Sequence, residues 1–226
     1  MKVSHIRKFY GKKAVLEDVS FTARPGERIA MIGRNGCGKT TLMKILAGII
    51  KPDAGALEYF GQNPFRQRGG FLKLCGYVPQ EDPLIEELTV KDNLKLWGQK
   101  KCLSDQRLME MFDLNPILKV QVRKLSGGMK RRVSIACAIS QWPPILLMDE
   151  PTAAVDLYYK QVLWQWMEQY TALNGILILS THEEREIRDS QRCLLLEQGQ
   201  LRELKEEFIS PDIFGKAREE QEHYGR

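Results

Sequence analysis

The sequence predicts an α/β fold: a core with a mainly parallel sheet, an N-terminal antiparallel β part and an inserted helical subdomain. Three observations lead there. A buried apolar run, residues 29–32 (Ile-Ala-Met-Ile), ends in a glycine-rich loop at 33–38. Two further uninterrupted apolar runs, 145–148 (Ile-Leu-Leu-Met) and 176–179 (Ile-Leu-Ile-Leu), flank a helix-length segment at 157–173. Apolar strands that alternate with helices read as a parallel sheet covered on both faces. Between the loop and the acidic strand, residues 89–141 keep a mostly helical pattern that only Pro116 interrupts.

Taken in order, residues 3–6 and 19–22 alternate like strands, and Pro25-Gly26 signals a turn into the strand at 28–32. A helix follows the loop, because Leu42, Ile45, Leu46 and Ile49 recur at helical spacing. Pro52 and Gly55 end that segment, and residues 56–60 read as another strand. Residues 193–197 and 200–203 form a last hairpin around Gly199, and the tail beyond Lys205 is rich in mixed charge. The expected layout is one domain over 1–226. Its core with the β part spans 1–88 and 142–205, its helical subdomain 89–141, and its charged tail 206–226.

Composition excludes several classes. The chain has 226 residues, 43% hydrophobic and 28% charged, which excludes disorder, collagen and a disulfide miniprotein. No apolar run approaches the ~18 residues of a membrane span, and the start has no secretory apolar region. The five cysteines are widely spaced with no CxxC, which fits a reducing compartment better than a metal site or a disulfide framework. Lys plus Arg is 34 against 29 acids, a net charge of +5. The excess gathers in residues 100–132, which hold nine basic and three acidic side chains. That stretch reads either as a solvated face or as a surface attracting an anion or an anionic membrane.

The chemistry-bearing motif is Gly33-Arg34-Asn35-Gly36-Cys37-Gly38-Lys39-Thr40, which fits G-x4-G-K-[ST] between a strand and a helix. Glycines let backbone N–H groups converge on phosphate oxygens, and the helix N-terminus adds partial positive charge. Lys39 supplies a point charge toward the β- and γ-phosphates. The Thr40 hydroxyl can ligand Mg²⁺, and Thr41 can bond a phosphate. The core is therefore expected to be a phosphate-loop NTPase that binds a nucleotide. Asp149 and Glu150 follow the buried run at 145–148, and ligands of open parallel sheets sit at the carboxyl ends of strands. Asp149 is placed to hold Mg²⁺ and Glu150 to orient and polarise the attacking water.

Three further segments narrow the reading: Tyr77-Val78-Pro79-Gln80, Leu125-Ser126-Gly127-Gly128-Met129 and Ser180-Thr181-His182. In this order, with the loop and the acidic pair, they resemble the nucleotide-binding subunit of ABC transporters over nearly the whole chain, to about residue 205. The resemblance implies that Tyr10 stacks on adenine and that Gln80 touches Mg²⁺ and the water and reports to the membrane partner. It implies that Ser126, Gly127, Gly128 and Met129 form the signature that meets the ATP of the opposite subunit. His182 is the implied switch histidine on the γ-phosphate, so Glu150, His182 and Lys39 make the implied catalytic set. Asp156, in Ala153-Ala154-Val155-Asp156, lies in the implied loop that crosses between subunits, where the family more often has Ser-Ala-Leu-Asp.

Further implications are a homodimer or heterodimer around two ATP, integral membrane transporter subunits as partners, and a peripheral place on the cytoplasmic side of the cell membrane. Nucleic acid is not expected. Met129 replaces the usual Gln, and the string Ser-Gly-Gly-Met-Lys-Arg-Arg is similar to the branch that exports drugs, lipids, polysaccharides or peptides. No regulatory C-terminal domain of the kind seen in some importers is expected, because the sequence ends soon after the last hairpin. The Lys130–Arg132 cluster reads either as helix solubility or, for Arg131 and Arg132, as cations near the ATP phosphates at the dimer seam. The alternative function is an ABC-type ATPase that drives a membrane or soluble partner without transport.

Overall fold

A computed structural model describes residues 1–204 except 67–70, 72, 99 and 154. Ala154 of the expected crossing loop and the expected tail at 206–226 lie outside the described residues. The strands are β1 (Lys2–Tyr10), β2 (Lys13–Thr22), β3 (Arg28–Ile32), β4 (Ala54–Glu58), β5 (Cys75–Val78), β6 (Ile145–Asp149), β7 (Ile176–Ser180), β8 (Arg192–Glu197) and β9 (Gln200–Leu204). The helices are α1 (Lys39–Leu46), α2 (Val90–Gly98), α3 (Gln106–Met111), α4 (Gly127–Ile139), α5 (Leu157–Ala172) and α6 (Glu184–Arg188), with short 3₁₀ turns between α2 and α4.

The strands form one sheet in the order β4-β1-β2-β9-β8-β3-β7-β6-β5. β8, β3, β7, β6 and β5 run parallel, while β4, β1 and β2 pair antiparallel. A single parallel pair, Asp18 with Gln200, joins the two regions. Period-two alternation then sorts the central side chains into two cores. Ala30, Ile32, Leu146, Met148, Leu177 and Leu179 face α5 and the helical segment, and Ile29, Met31, Ile145, Leu147, Ile176 and Ile178 face α1 and the N-terminal strands. Both faces are covered, which explains why these strands read as continuous apolar runs.

Some boundaries differ from the sequence expectation. α1 stops at Leu46, and Ile49 is 55% exposed beyond it. Gly48 takes φ 67° just after the helix, the left-handed stop that closes many helices. Gly55 does not end a helix. It lies inside β4, where φ is 96° and an added Cβ would stand 2.4 Å from the His5 carbonyl oxygen. β4 therefore starts at Ala54 and ends at Glu58, and Phe60 is 52% exposed in the turn beyond. β5 and α6 have no counterpart in the sequence reading. β5 is a four-residue edge strand interrupted by Gly76, and α6 is five residues of mixed charge, so neither displays a period.

Candidate functional site

The loop from Gly33 to Gly38 leaves the carboxyl end of β3 and enters α1. Three of its glycines take positive φ: 154° at Gly33, 77° at Gly36 and 113° at Gly38. Gly33 has a second constraint, because a Cβ there would meet the Leu196 carbonyl oxygen at 2.4 Å. Arg34 and Asn35 are exposed between them and Cys37 is partly covered. Lys39 is 7% exposed and its ammonium donates to the Gly33 carbonyl at 2.6 Å and to the Arg34 carbonyl at 3.3 Å. The cation thus sits inside the turn of the loop. Thr40 and Thr41 are half-buried in the first turn of α1.

Asp149 closes β6 and is 1% exposed. Its Oδ1 accepts a very short hydrogen bond from the Ser180 hydroxyl at the end of neighbouring β7. Its Oδ2 is buried and has no hydrogen-bond partner among the described residues. A buried carboxylate oxygen without a donor is costly unless a cation or proton completes it. Mg²⁺ favours oxygen ligands and typically takes one or two carboxylates plus substrate phosphates. Asp149 Oδ2 fits the carboxylate part of that requirement.

Glu150 follows in a left-handed backbone, φ 49°, with its N–H bonded to the Ser180 carbonyl at 2.9 Å. Its carboxylate is flanked by two of the expected residues. Gln80 Nε2 donates to Oε2 at 3.3 Å, and His182 Nε2 lies 3.8 Å from Oε1. Partial burial holds the His182 pKa below its ordinary value, Lys39 pushes it the same way, and Glu150 opposes both. The ring is therefore neutral near pH 7. Sequence-distant segments thus converge: Gln80, Asp149, Glu150 and His182 come from the carboxyl ends of β5, β6 and β7, and Lys39, the first residue of α1, acts on His182.

The remaining expected residues have local partners. Tyr10 is 54% exposed at the end of β1, with Lys8 Nζ 5.8 Å from its ring centre. Ser126 caps α4 by accepting from the Met129 N–H at 3.3 Å, and a Cβ on Gly127 would meet nothing within 4 Å. Met129 is partly buried against the core of the helical segment, so its side chain faces inward. Asp156 caps α5 by accepting from the Tyr159 N–H at 3.2 Å.

Arg131 and Arg132 require a correction. Neither is a surface cation facing a phosphate. Arg131 is 3% exposed and donates to backbone carbonyls of Pro79, Asp149, Glu150 and Pro151. Arg132 is 8% exposed, donates to the Phe112 carbonyl, and stacks 3.8 Å from the Tyr159 ring centre. The basic stretch is thus partly interior.

Sequence reasoning also missed Ser180 as the partner of Asp149, and it missed Glu186. Glu186 is 1% exposed and accepts from Thr152, Thr181 and Trp164, so it ties the loop after Glu150 to the residue before His182. A usable signal for Arg131 was its i, i+4, i+8 spacing with Ile135 and Ile139, which places an arginine on a buried helical face.

Known proteins resemble this chain in sequence and fold. The ABC transporter family model matches residues 16–153. Nod factor export ATP-binding protein I of Paraburkholderia xenovorans (strain LB400) is 36% identical over 204 residues, covering 86% of this chain and 66% of that protein. A probable multidrug ABC transporter ATP-binding protein of Escherichia coli (strain K12) is 33% identical over 196 residues, covering 84% of this chain. The match spans only 34% of that protein's length. Among solved structures, an ATP-binding subunit of an ABC transporter superposes with a TM-score of 0.85 at 29% identity, over 95% of this chain and 92% of that one. A dimeric post-hydrolysis state of an ATP-binding cassette, bound to ADP and Pi, superposes with a TM-score of 0.82 at 26% identity, over 90% of this chain and 97% of that one.

Proposed function

The chain belongs to the ABC transporter family as one of its ATP-hydrolysing cassettes, and from that membership we propose that it powers substrate export through separate membrane-spanning partner chains. Two copies, or one copy and a similar subunit, close around two ATP. The N-terminus of α4, with Ser126, Gly127 and Gly128, completes the site of the opposite subunit. A helix N-terminus with open glycines offers N–H donors to a γ-phosphate. No helix among the described residues is long and apolar enough to cross a membrane. The names of the relatives, multidrug and Nod factor export, and the Met129-Lys130-Arg131-Arg132 string support the direction.

The observation that carries the hydrolytic role is the Glu150 carboxylate held between Gln80 at 3.3 Å and His182 at 3.8 Å, beside the buried Asp149. Lys39 and the N–H groups of the loop bind the β- and γ-phosphates. Glu150 aligns a water for attack on the γ-phosphorus and takes its proton. Neutral His182 bonds a γ-phosphate oxygen and keeps the water in line. Mg²⁺, when bound through Asp149 and Thr40, supplies charge neutralisation at the phosphates. Tyr10 lies at the end of β1 as a stacking surface for the base. Catalysis of this kind is positioning and charge stabilisation more than covalent chemistry.

The test joins two measurements. Phosphate release is measured for the chain and for Glu150→Gln, and the tagged chain is extracted from native membranes in mild detergent to identify what copurifies. Release that Glu150→Gln abolishes, with a polytopic membrane protein in stoichiometric yield, is the expected result. Copurification of soluble partners alone would reject the transport role and leave the nucleotide chemistry in place.

A further inference from the structure

Arg131 is a cation in the interior of the protein. Its side chain leaves α4 one turn below Ser126, on the face shared with Ile135 and Ile139. It enters the space between the ends of the neighbouring parallel strands β5 and β6. Nε donates to the Pro151 carbonyl at 3.2 Å. One Nη donates to the carbonyls of Asp149 at 2.6 Å and Glu150 at 2.9 Å. The other reaches the carbonyls of Pro79 at 2.5 Å and Gln80 at 3.5 Å, and the Asp82 carboxylate at 3.2 Å. One planar group therefore binds the loop that carries Gln80 and the loop that carries Glu150 to a single helix.

The backbone at Glu150 requires such support. A left-handed conformation in a residue with a Cβ is costly and persists where the surroundings over-determine it. Here the Glu150 N–H is fixed by the Ser180 carbonyl, and its C=O by Arg131. From this we infer that Arg131 is a positioning residue for hydrolysis: it holds the Glu150 carboxylate and the Gln80 amide in one arrangement, registered to the helix that begins with the signature. The inference rests on the proposed role of Glu150 in aligning water. Only a guanidinium supplies five N–H donors in a plane wide enough to serve two loops, whereas an ammonium offers three from one point.

The test compares the full chain with Arg131→Lys, Arg131→Gln and Glu150→Gln. Steady-state phosphate release, ATP titration and thermal melting are measured on each. For Arg131→Lys we expect kcat to fall by about tenfold to a hundredfold, because displacements of ~1 Å at a reacting group have that effect. KM and ATP affinity should stay within about twofold, the pattern of an interaction felt only in the transition state. Arg131→Gln should be slower still. Adding Arg131→Lys to Glu150→Gln should cost nothing further, since both act on the same step.

Unchanged kcat in both Arg131 variants, beside an inactive Glu150→Gln, would overturn the positioning role alone. A kcat loss in Arg131→Lys that tracks lost ATP affinity and a lower melting temperature would also overturn it, in favour of a purely structural role. Retained turnover in Glu150→Gln would remove the reading of Glu150, and the role of Arg131 with it.

Discussion

Glu150 Oε1 and His182 Nε2 lie 3.8 Å apart at the ends of the adjacent strands β6 and β7. That is too long for a direct hydrogen bond and short enough for the carboxylate to act on the charge of the ring. Lys39 also acts on His182, with the opposite sign to Glu150. The histidine therefore reports the electrostatics of the whole cluster.

That makes its titration a measurement of the site. The chain has three histidines, so NMR can follow them individually. His182 is expected to titrate below its ordinary 6.5, chiefly through burial. Lys39→Ala should raise its pKa by removing a like charge, and Glu150→Gln should lower it by removing an opposite one. Because the folded value lies below the unfolded one, the neutral ring contributes stability above about pH 6.5 and loses it as pH falls through the folded value. A shift of the wrong sign in either variant would refute the arrangement.

Replacing the water-aligning carboxylate by its neutral isostere should leave binding intact. Glu150→Gln keeps the Gln80 contact and the backbone, so ATP affinity should hold while phosphate release falls by roughly 10²–10⁴-fold. Single-turnover phosphate release with labelled ATP decides it. Near-normal release would mean that another group moves the proton.

Lys39 should show the opposite signature. Its ammonium lies inside the turn of the loop, on the Gly33 and Arg34 carbonyls. Charge-assisted hydrogen bonds contribute about 1.5–3 kcal/mol each. Lys39→Ala should therefore weaken ATP binding by roughly tenfold to a hundredfold or more. Calorimetric titration with unchanged affinity would remove Lys39 from the phosphate site.

The legible parts of the site were those whose physics is local. The Gly33–Thr40 string needs its glycines for φ and its lysine for charge, and both needs are visible within eight residues. The apolar runs at β3, β6 and β7 announced strands covered on both faces. What stayed hidden depends on distant neighbours. Gly55 looked like a helix terminator because nothing nearby shows the His5 carbonyl that it makes room for. Arg131 looked like a surface cation because all but one of its acceptors are backbone carbonyls some 18 to 52 residues away, and carbonyls carry no sequence signal. Glu186 was masked by the charged run around it, although its own carboxylate is buried.

Gly33 tests the loop at its tightest point. Alanine there would take φ 154° with its Cβ 2.4 Å from the Leu196 carbonyl oxygen, so backbone must shift. Gly36→Ala meets no atom within 4 Å and carries only the conformational cost. Gly33→Ala should therefore lose ATP binding and melt lower, with Gly36→Ala the milder of the two. ATP titration and thermal melting of both variants rank them, and the reverse order would contradict the geometry of the loop.

Glu186 links the two catalytic loops through a carboxylate whose pKa burial raises, despite the hydrogen bonds from Thr181, Thr152 and Trp164 that oppose the shift. With a folded pKa above the unfolded one, its contribution to stability is complete below about pH 4.5 and is lost as pH rises through the folded value. At neutral pH the charged form is the strained one. Glu186→Gln stays neutral at every pH and keeps a shape that can pair with the hydroxyls, which both donate and accept. It should melt at or above the native chain at pH 8 and lose that advantage at pH 5. Glu186→Ala removes the acceptors as well, leaving the Trp164 N–H and two hydroxyls unsatisfied, and should destabilise by about 1–3 kcal/mol at both values. Thermal melts of the three chains at pH 5 and pH 8 separate the charge from the hydrogen bonds. A Glu186→Gln chain as unstable as Glu186→Ala at pH 8 would show that the negative charge itself is needed between Thr152 and Thr181.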